Sequence, residues 1–512
     1  MRGARSGAIG LDVGTSAVKG LLVDGGGRVL VRSARVIRAE FGPGGRVEVD
    51  AADVAAAARR VISTLAARAV AEGVRVRAMC AGGSGDEAVW TDRDGDPVAP
   101  VPLSLDTRGA AAGEAIAATV GRERYLRLTG LPPSGAYPVS RLRALRQERP
   151  DLAERVARLL SWPEQLALDL GVGVRGEPTL AARSGAWRVD AGLEGRYEPA
   201  LVAAASGGAP RDLFPPVVPT GSVLGVLPGR VASALGLPRG VTLVAGGFDQ
   251  AMATLGAGIM SPGLAHVGAG SWQALTVLAD DRPGVDLVAA GFTIGPSIAA
   301  GGRWSVMASG PGASLLGWLG RIGGRAGRSG DEARRAIALA RHAADQPTRL
   351  VVIPDLGGGA PPRPDPAARG TIAGLALGDG PERLARALLE AVAIGLADRL
   401  ARLDEAGLRV EEIRITGGGA RDRRWRQLTA DVTGLPVRAV EPVDAGAVAA
   451  AALAATAVGL APEASVAVAR TSHLGPPALP RPRHHDVYRS MAQRTVDLRS
   501  GLAAVQRTAA GG

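Results

Sequence analysis

A strand-turn-strand device at residues 9–19 constrains the fold of this chain more than any other segment. Apolar Ile9, Leu11 and Val13 alternate with small or acidic residues, and the tight turn Gly14-Thr15-Ser16 follows. A second, largely apolar run over 18–23 ends at Asp24-Gly25-Gly26-Gly27, a hairpin signal, before a third run over 29–36. Lys19, in the second run, is the only lysine of the 512 residues; every other cationic position is arginine. An ammonium is a compact point charge and a guanidinium a planar fork, so a lysine beside a turn rich in N–H and hydroxyl groups points to phosphate. The Gly-x-x-x-x-Gly-Lys-Ser/Thr spacing of a helix-opening phosphate loop is absent, which makes this a hairpin phosphate loop. Taken alone, Lys19 also reads as an unreplaced cation on a solvated strand; the flanking pattern argues against that.

The device recurs. Residues 264–271 read as strand-Gly-x-Gly-Ser and 275–278 as the returning strand, and such a repeat predicts a duplicated fold closing around one nucleotide. Helices are predicted over 50–72, 107–120, 138–148 and 151–170, interleaved with strands that are both hairpin-linked and crossover-linked, hence an α/β class with a mixed sheet. A strand over 241–245 runs into Gly246-Gly247-Phe248-Asp249-Gln250, read as the hinge between halves, with a helix from Ala251. Later come a long helix over 381–406, a strand over 412–416, the loop Gly417-Gly418-Gly419-Ala420 and a helix from Arg423. The alanine-rich 445–458 reads as a tightly packed helix, 476–482 as a linker and 486–505 as a closing helix.

A chain of this length predicts two or more domains, and with only 3% aromatic residues the core falls to Leu, Val, Ile and Ala. The single cysteine, Cys80, excludes an internal disulfide framework, suits a reducing compartment and reads as a buried small hydrophobe. A net charge of +11 raises nucleic acid as a partner, yet the arginines of 141–158 and 383–402 are interleaved with Glu and Asp, as on a solvated surface. No apolar run approaches the roughly 18 residues of a membrane helix, and residues 1–7 do not open a signal peptide. The expectation is a cytoplasmic protein that binds neither nucleic acid nor membrane.

Together these segments, from about residue 8 to about 488, resemble the FGGY family of carbohydrate kinases. The resemblance implies two actin-like ATPase (ribonuclease H-like) α/β domains with an interdomain cleft: 7–246 for the sugar, 247–490 for the nucleotide, and 491–512 as a C-terminal helix and tail. It implies ATP and Mg²⁺ as cofactors, with Asp12 orienting the metal and Gly14, Thr15, Ser16 and Lys19 receiving the β- and γ-phosphates. Asp249 corresponds to the general base that takes the proton of the attacking hydroxyl, with Gln250 beside it toward substrate. In isolation Asp249 is also a good helix N-cap. Gly268 and Gly270 correspond to the second phosphate loop, Gly417, Gly418 and Gly419 to the loop over which adenosine lies, and Asp422 to a contact with adenine or ribose. For the substrate, Asp106 and Arg108 fall in the family's Trp-x-Asp-x-Arg, with Ser104 in place of Trp; Asp86 and Glu87 stand where xylulokinases carry Met-His and glycerol kinases Arg-Glu; and Tyr137 falls near a substrate-lining tyrosine.

Two departures stand out. The second phosphate loop reads Gly268-Ala269-Gly270 where the family has Gly-Thr-Ser, and the proline-rich 354–370 carries Gly359-Ala360 in place of a Glu-Arg pair. The implied activity is ATP-dependent phosphorylation of a terminal hydroxyl of a small sugar, with a pentulose such as xylulose first and a polyol of erythritol or glycerol type next. The altered loop keeps a non-catalytic sugar sensor of the same fold as a rival, the resemblance leaves a homodimer open, and the expected absence of the long peptide-binding domain that chaperone-like ATPases append counts against that third reading.

Overall fold

The computed structural model describes residues 5–510 except 105, 107, 191, 193, 194, 209–211, 300, 301, 323–330, 344, 366 and 367, with no side-chain description for 331–333 and 503–510. The chain forms two compact units, each discontinuous in sequence: Met1–Met260 with Ile294–Ser305 and Asp444–His473, and Ser261–Thr293 with Val306–Val443 and Leu474–Gly512. By compactness the long first stretch runs to Met260, and the alanine-rich helix Ala445–Ala457 belongs to the first unit.

In the first unit, β1 (Arg5–Val13), β2 (Ala17–Asp24) and β3 (Val29–Val36) form an antiparallel meander. β4 (Val74–Gly83) pairs parallel to β1 on its other side. Outside it lie β5 (Val223–Val226) and β6 (Thr242–Phe248), giving the sheet order β5-β6-β4-β1-β2-β3. One face is covered by the helix Ala51–Ala71, whose Val54, Ala58, Val61, Ile62 and Leu65 recur at helical spacing and pack on Ile9, Leu11 and Leu22. Asp50 caps its N-terminus by accepting from Ala52 N–H at 2.8 Å.

The other face is covered by Ala445–Ala457, buried along most of its length. Small side chains let this helix approach the sheet so closely that a Cβ on Gly10 would lie 2.0 Å from the Ala447 carbonyl oxygen. Gly10→Ala is therefore expected to destabilise the protein by about 1–3 kcal/mol, the usual cost of overpacking. A lowered unfolding temperature checks this, and an unchanged one would mean the helix is not seated on β1 in this way.

The second unit repeats the arrangement. β7 (Gly263–Ala269) pairs antiparallel with β8 (Trp272–Ala279) and parallel with β9 (Val410–Thr416), which pairs parallel with β10 (Val437–Glu441). A hairpin whose first strand also takes a parallel neighbour is the pattern of β1, β2 and β4, as the repeat in the sequence predicts. The long helix Pro381–Glu405 and the helix Arg423–Thr433 supply Leu388, Val392, Trp425 and Leu428 to this unit's core.

One predicted helix is not formed. Residues 151–170 break into a short helix Pro150–Arg155, a strand Arg158–Leu160 and a helix Trp162–Asp169. The strand pairs with Val89–Thr91, and the following helix begins at a Ser161/Glu164 capping box with Pro163 in its first turn. Cys80 is fully buried, and burial raises its thiol pKa, as a small core residue requires. Among the described residues no helix is long and apolar enough to cross a membrane.

Candidate active site

Within the first unit the β1–β2 hairpin sets the first group of residues. Asp12 and Lys19 are direct partners in its antiparallel ladder, so their side chains leave the same face of the sheet. The connecting turn is closed by Gly14 N–H donating to the Ala17 carbonyl at 3.2 Å. Neither the Thr15 nor the Ser16 hydroxyl has a protein partner among the described residues, and Ser16 is exposed.

Lys19 Nζ lies 3.9 Å from Asp444 Oδ1 and its side chain is 43% exposed, a long pairing that leaves the ammonium available. Asp444 precedes Ala445–Ala457 without capping it, and a Cβ on Gly446 would lie 3.3 Å from Asp12 Cγ. The N-terminus of this helix, a natural anion site, thus stands beside Asp12 and Lys19. Burial raises the Asp12 pKa; Lys19 opposes this and Asp444 adds to it. Sequence reasoning missed Asp444 because an aspartate before an alanine-rich helix looks like an ordinary cap.

Asp249 is the first residue of the helix Asp249–Gly256, directly after β6. Its Oδ1 is out of solvent and has no hydrogen-bond partner among the described residues. Burial, followed by the negative charges of Asp12, Asp86 and Glu87, pushes its carboxyl up to about 8. Gln250 Oε1 is likewise buried without a donor among the described residues. Two adjacent side chains therefore present acceptor oxygens that the protein does not satisfy, an arrangement that costs folding energy unless a ligand supplies the hydrogens.

Asp86 belongs to the same neighbourhood. Its Oδ1 accepts from Arg183 Nε at 2.8 Å and lies 2.7 Å from Nη2, while Oδ2 has no protein donor among the described residues. Arg183 is buried, with its guanidinium 5.3 Å from the Tyr137 ring centre and 5.0 Å from that of Phe248. Tyr137 is buried too; burial, opposed by Arg183, pushes its hydroxyl up to about 12. Arg183 escaped sequence reasoning because one arginine in an arginine-rich chain carries no signal.

Three residues read as substrate ligands are otherwise engaged. Glu87 is 0% exposed; its Oε1 accepts from Ser104 N–H at 2.9 Å and Ser104 Oγ at 2.5 Å, and its Oε2 from the Ser84 hydroxyl. It ties two loops together, with the serine that replaces the family's tryptophan supplying the donors. Asp106 Oδ2 accepts from Val47 N–H at 3.0 Å and from Arg108 Nη2 at 2.6 Å, and Arg108 also reaches Glu48 at 2.5 Å and Glu148 at 3.4 Å. Against the effect of burial, Arg108 and the Val47 N–H hold the Asp106 carboxyl below the usual carboxylate range. This pair lines a cavity of about 130 Å³ with Glu48, Trp90 and Arg141, and neither Asp86 nor Asp249 lines it. Asp106 and Arg108 therefore lock the 47–48 strand to their own loop. Leu105 and Thr107 of the same motif lie outside the described residues.

In the second unit the glycine loops adjoin one another. Gly268 pairs with Thr416 across β7 and β9, and Gly270 N–H closes the β7–β8 turn onto the Trp272 carbonyl at 3.2 Å. Gly417 has φ +80°, and a Cβ there would lie 3.0 Å from the Ala269 carbonyl oxygen; one on Gly419 would lie 2.7 Å from Ala269 Cβ. The close approach to Ala269 thus requires glycine at 417 and 419. Gly418 is exposed, and a Cβ there would meet only the Ala269 carbonyl oxygen, at 4.0 Å. Asp422 is an engaged cap: it accepts from Arg424 N–H at 2.8 Å and Trp425 N–H at 3.2 Å and pairs with Arg341 at 2.8 Å, so its carboxylate is not free for a nucleotide.

Comparison with known proteins adds three findings. The N-terminal domain profile of the FGGY family of carbohydrate kinases matches residues 8–256, and its C-terminal domain profile matches 266–458. The glycerol kinase of Alkalilimnicola ehrlichii is 28% identical over 97% of this chain and 98% of its own, and the xylulose kinase of Escherichia coli 27% identical over 83% and 84%. The crystal structure of xylulose kinase from Rhodospirillum rubrum superposes with a TM-score of 0.81 at 26% identity, covering 98% of this chain and 100% of that one.

Proposed function

Because the chain belongs to the FGGY family of carbohydrate kinases, and is an ATP-dependent sugar kinase of actin-like fold, we propose that its acceptor is a small neutral polyhydroxyl compound: a pentulose such as xylulose first, an open-chain polyol second. The observation that carries this reading is the pair of buried, unpartnered acceptor oxygens on Asp249 and Gln250. Hydroxyl groups are the donors they lack. With the free Asp86 Oδ2 nearby, the site offers several acceptors and a local excess of carboxylates, which favours an uncharged polyol over a sugar acid.

In this reading Asp249 takes the proton of the attacking hydroxyl as its oxygen bonds to the γ-phosphorus and the bond to the bridging oxygen breaks, releasing ADP. Lys19, the turn N–H groups of 14–16 and the N-terminus of Ala445–Ala457 stabilise phosphate charge. Asp12 suits Mg²⁺. It is a half-buried carboxylate with a raised proton affinity and an acidic neighbour in Asp444, and among the described residues no cluster of three or more ligands competes for the metal. Such an ion takes one or two carboxylates and completes its shell with water and phosphate oxygens, neutralising phosphate charge.

The test is ADP release measured across xylulose, ribulose, erythritol, glycerol and gluconate. Turnover with a neutral sugar or polyol is expected; turnover with gluconate alone would overturn the substrate class, and ligand binding without turnover would favour a sensor. A pH profile follows from the raised Asp249 carboxyl. The base works only when ionised, so kcat/KM for the acceptor should climb with pH as Asp249 loses its proton near 8 in the ligand-free enzyme, and fall about tenfold per unit on the acid side. Asp86→Asn removes one of the charges that raise it and should move this limb to lower pH; a limb that stays in place would assign it to another group.

A further inference from the structure

We propose that residues 177–183 set the position of the base, with Thr179 and Glu177 as positioning residues; the proposal rests on the kinase reading with Asp249 as proton acceptor. It starts from a break in the sheet. β6 pairs with β4 in register as far as Ala245 opposite Ala81, and the register then jumps to Phe248 opposite Gly83. At this bulge the Phe248 N–H donates to Thr179 Oγ1 at 2.8 Å.

A threonine hydroxyl has one proton, and here it goes to Glu177 Oε2 at 2.6 Å, which fixes the hydroxyl as acceptor toward Phe248. Glu177 is held in turn. Its Oε2 also accepts from Thr179 N–H at 2.8 Å and Leu180 N–H at 3.1 Å, and its Oε1 from the Thr220 hydroxyl. It is 1% exposed and has no ion-pair partner among the described residues, so hydrogen bonds alone hold it in place. The bulged backbone lies against this pair: a Cβ on Gly247 would sit 2.6 Å from Thr179 Oγ1 and 3.1 Å from Glu177 Oε2.

The far end of the same segment grips the next feature. Arg183 pairs with Asp86 and lies over the Phe248 ring. Phe248 is thus held by its N–H at one end and its ring at the other, and the residue after it is Asp249. One short segment thereby fixes Asp249 and Asp86 relative to each other. A displacement of about 1 Å in such a group costs on the order of 10²-fold in rate.

The test uses the full chain carrying Thr179→Val, which keeps the shape and removes both hydrogen bonds. Hydrogen exchange without substrate is expected to accelerate about tenfold at the Phe248 amide. With the preferred acceptor, kcat should fall about 10- to 100-fold while the ATP KM stays within about twofold. Thr179→Ser, which keeps the hydroxyl, should restore both. A folded Thr179→Val with unchanged Phe248 exchange overturns the clamp, and altered exchange with unchanged kcat overturns the positioning role. If Thr179→Val does not fold, Glu177→Gln is read by the same two measurements, and unchanged values there overturn the proposal. A wild-type enzyme without turnover on any acceptor would count against the kinase reading, while the exchange measurement still decides the clamp.

Discussion

Asp249→Asn is expected to cut phosphoryl transfer by about 10²- to 10⁴-fold, the usual worth of a positioned general base, while ATP binding stays near wild type. The amide keeps the volume and the helix start but cannot take a proton. The same change should stabilise the fold, and the sign follows from the raised carboxyl. With a folded value near 8 against about 4 in the unfolded chain, the native state holds more protons between those limits. Wild-type stability therefore falls as pH rises from about 4 to 8, and Asp249→Asn should lose this slope and melt higher at pH 8, by about 1–3 kcal/mol for a relieved buried charge. Paired activity and melting curves at pH 5 and 8 check both halves. A variant that retains turnover removes Asp249 from the chemistry, and one that melts lower at pH 8 removes the strain.

Lys19→Ala is expected to raise the ATP KM and lower kcat together, for a combined loss of about 10²- to 10³-fold in kcat/KM, because in the proposed reading the ammonium meets phosphate charge in both ground and transition states. Stability should move by no more than about 1 kcal/mol, since its ion pair to Asp444 is long and its side chain is 43% exposed. Lys19→Arg is the sharper variant. The planar guanidinium, emerging from β2 opposite Asp12, should recover only part of the activity. Full recovery would mean that any cation serves, and silence of both variants would detach Lys19 from the nucleotide.

Much of the framework was legible because it is local. Apolar alternation around Gly14 and around Gly270 predicts two hairpins, and both form with a parallel strand beside the first strand of each. The helices predicted over 50–72 and 138–148 form as Ala51–Ala71 and Pro138–Glu148. The reading of 151–170 as one helix failed because strand pairing with Val89–Thr91, a partner about 70 residues away, outweighed helical periodicity. Residues 246–250, read as a hinge, form the end of β6 and the start of the following helix, tied by a hydroxyl 69 residues distant that sequence reasoning could not see.

The sequence by itself determined the family and the repeated strand-turn-strand plan, and it singled out Asp12, Lys19 and Asp249 as candidates, since backbone turns and strand alternation are written in neighbouring residues. Only the tertiary structure decided which carboxylates are free. Asp86, Glu87, Asp106 and Asp249 look alike in a string of letters, yet Glu87 is filled by Ser84 and Ser104, and Asp106 by Val47 and Arg108. Asp249 keeps an unpaired oxygen, and Asp86 is held on one oxygen by Arg183. The physical reason is that a carboxylate's donors and its burial come from segments tens of residues away. Those two quantities set both its proton affinity and its freedom to bind a substrate hydroxyl.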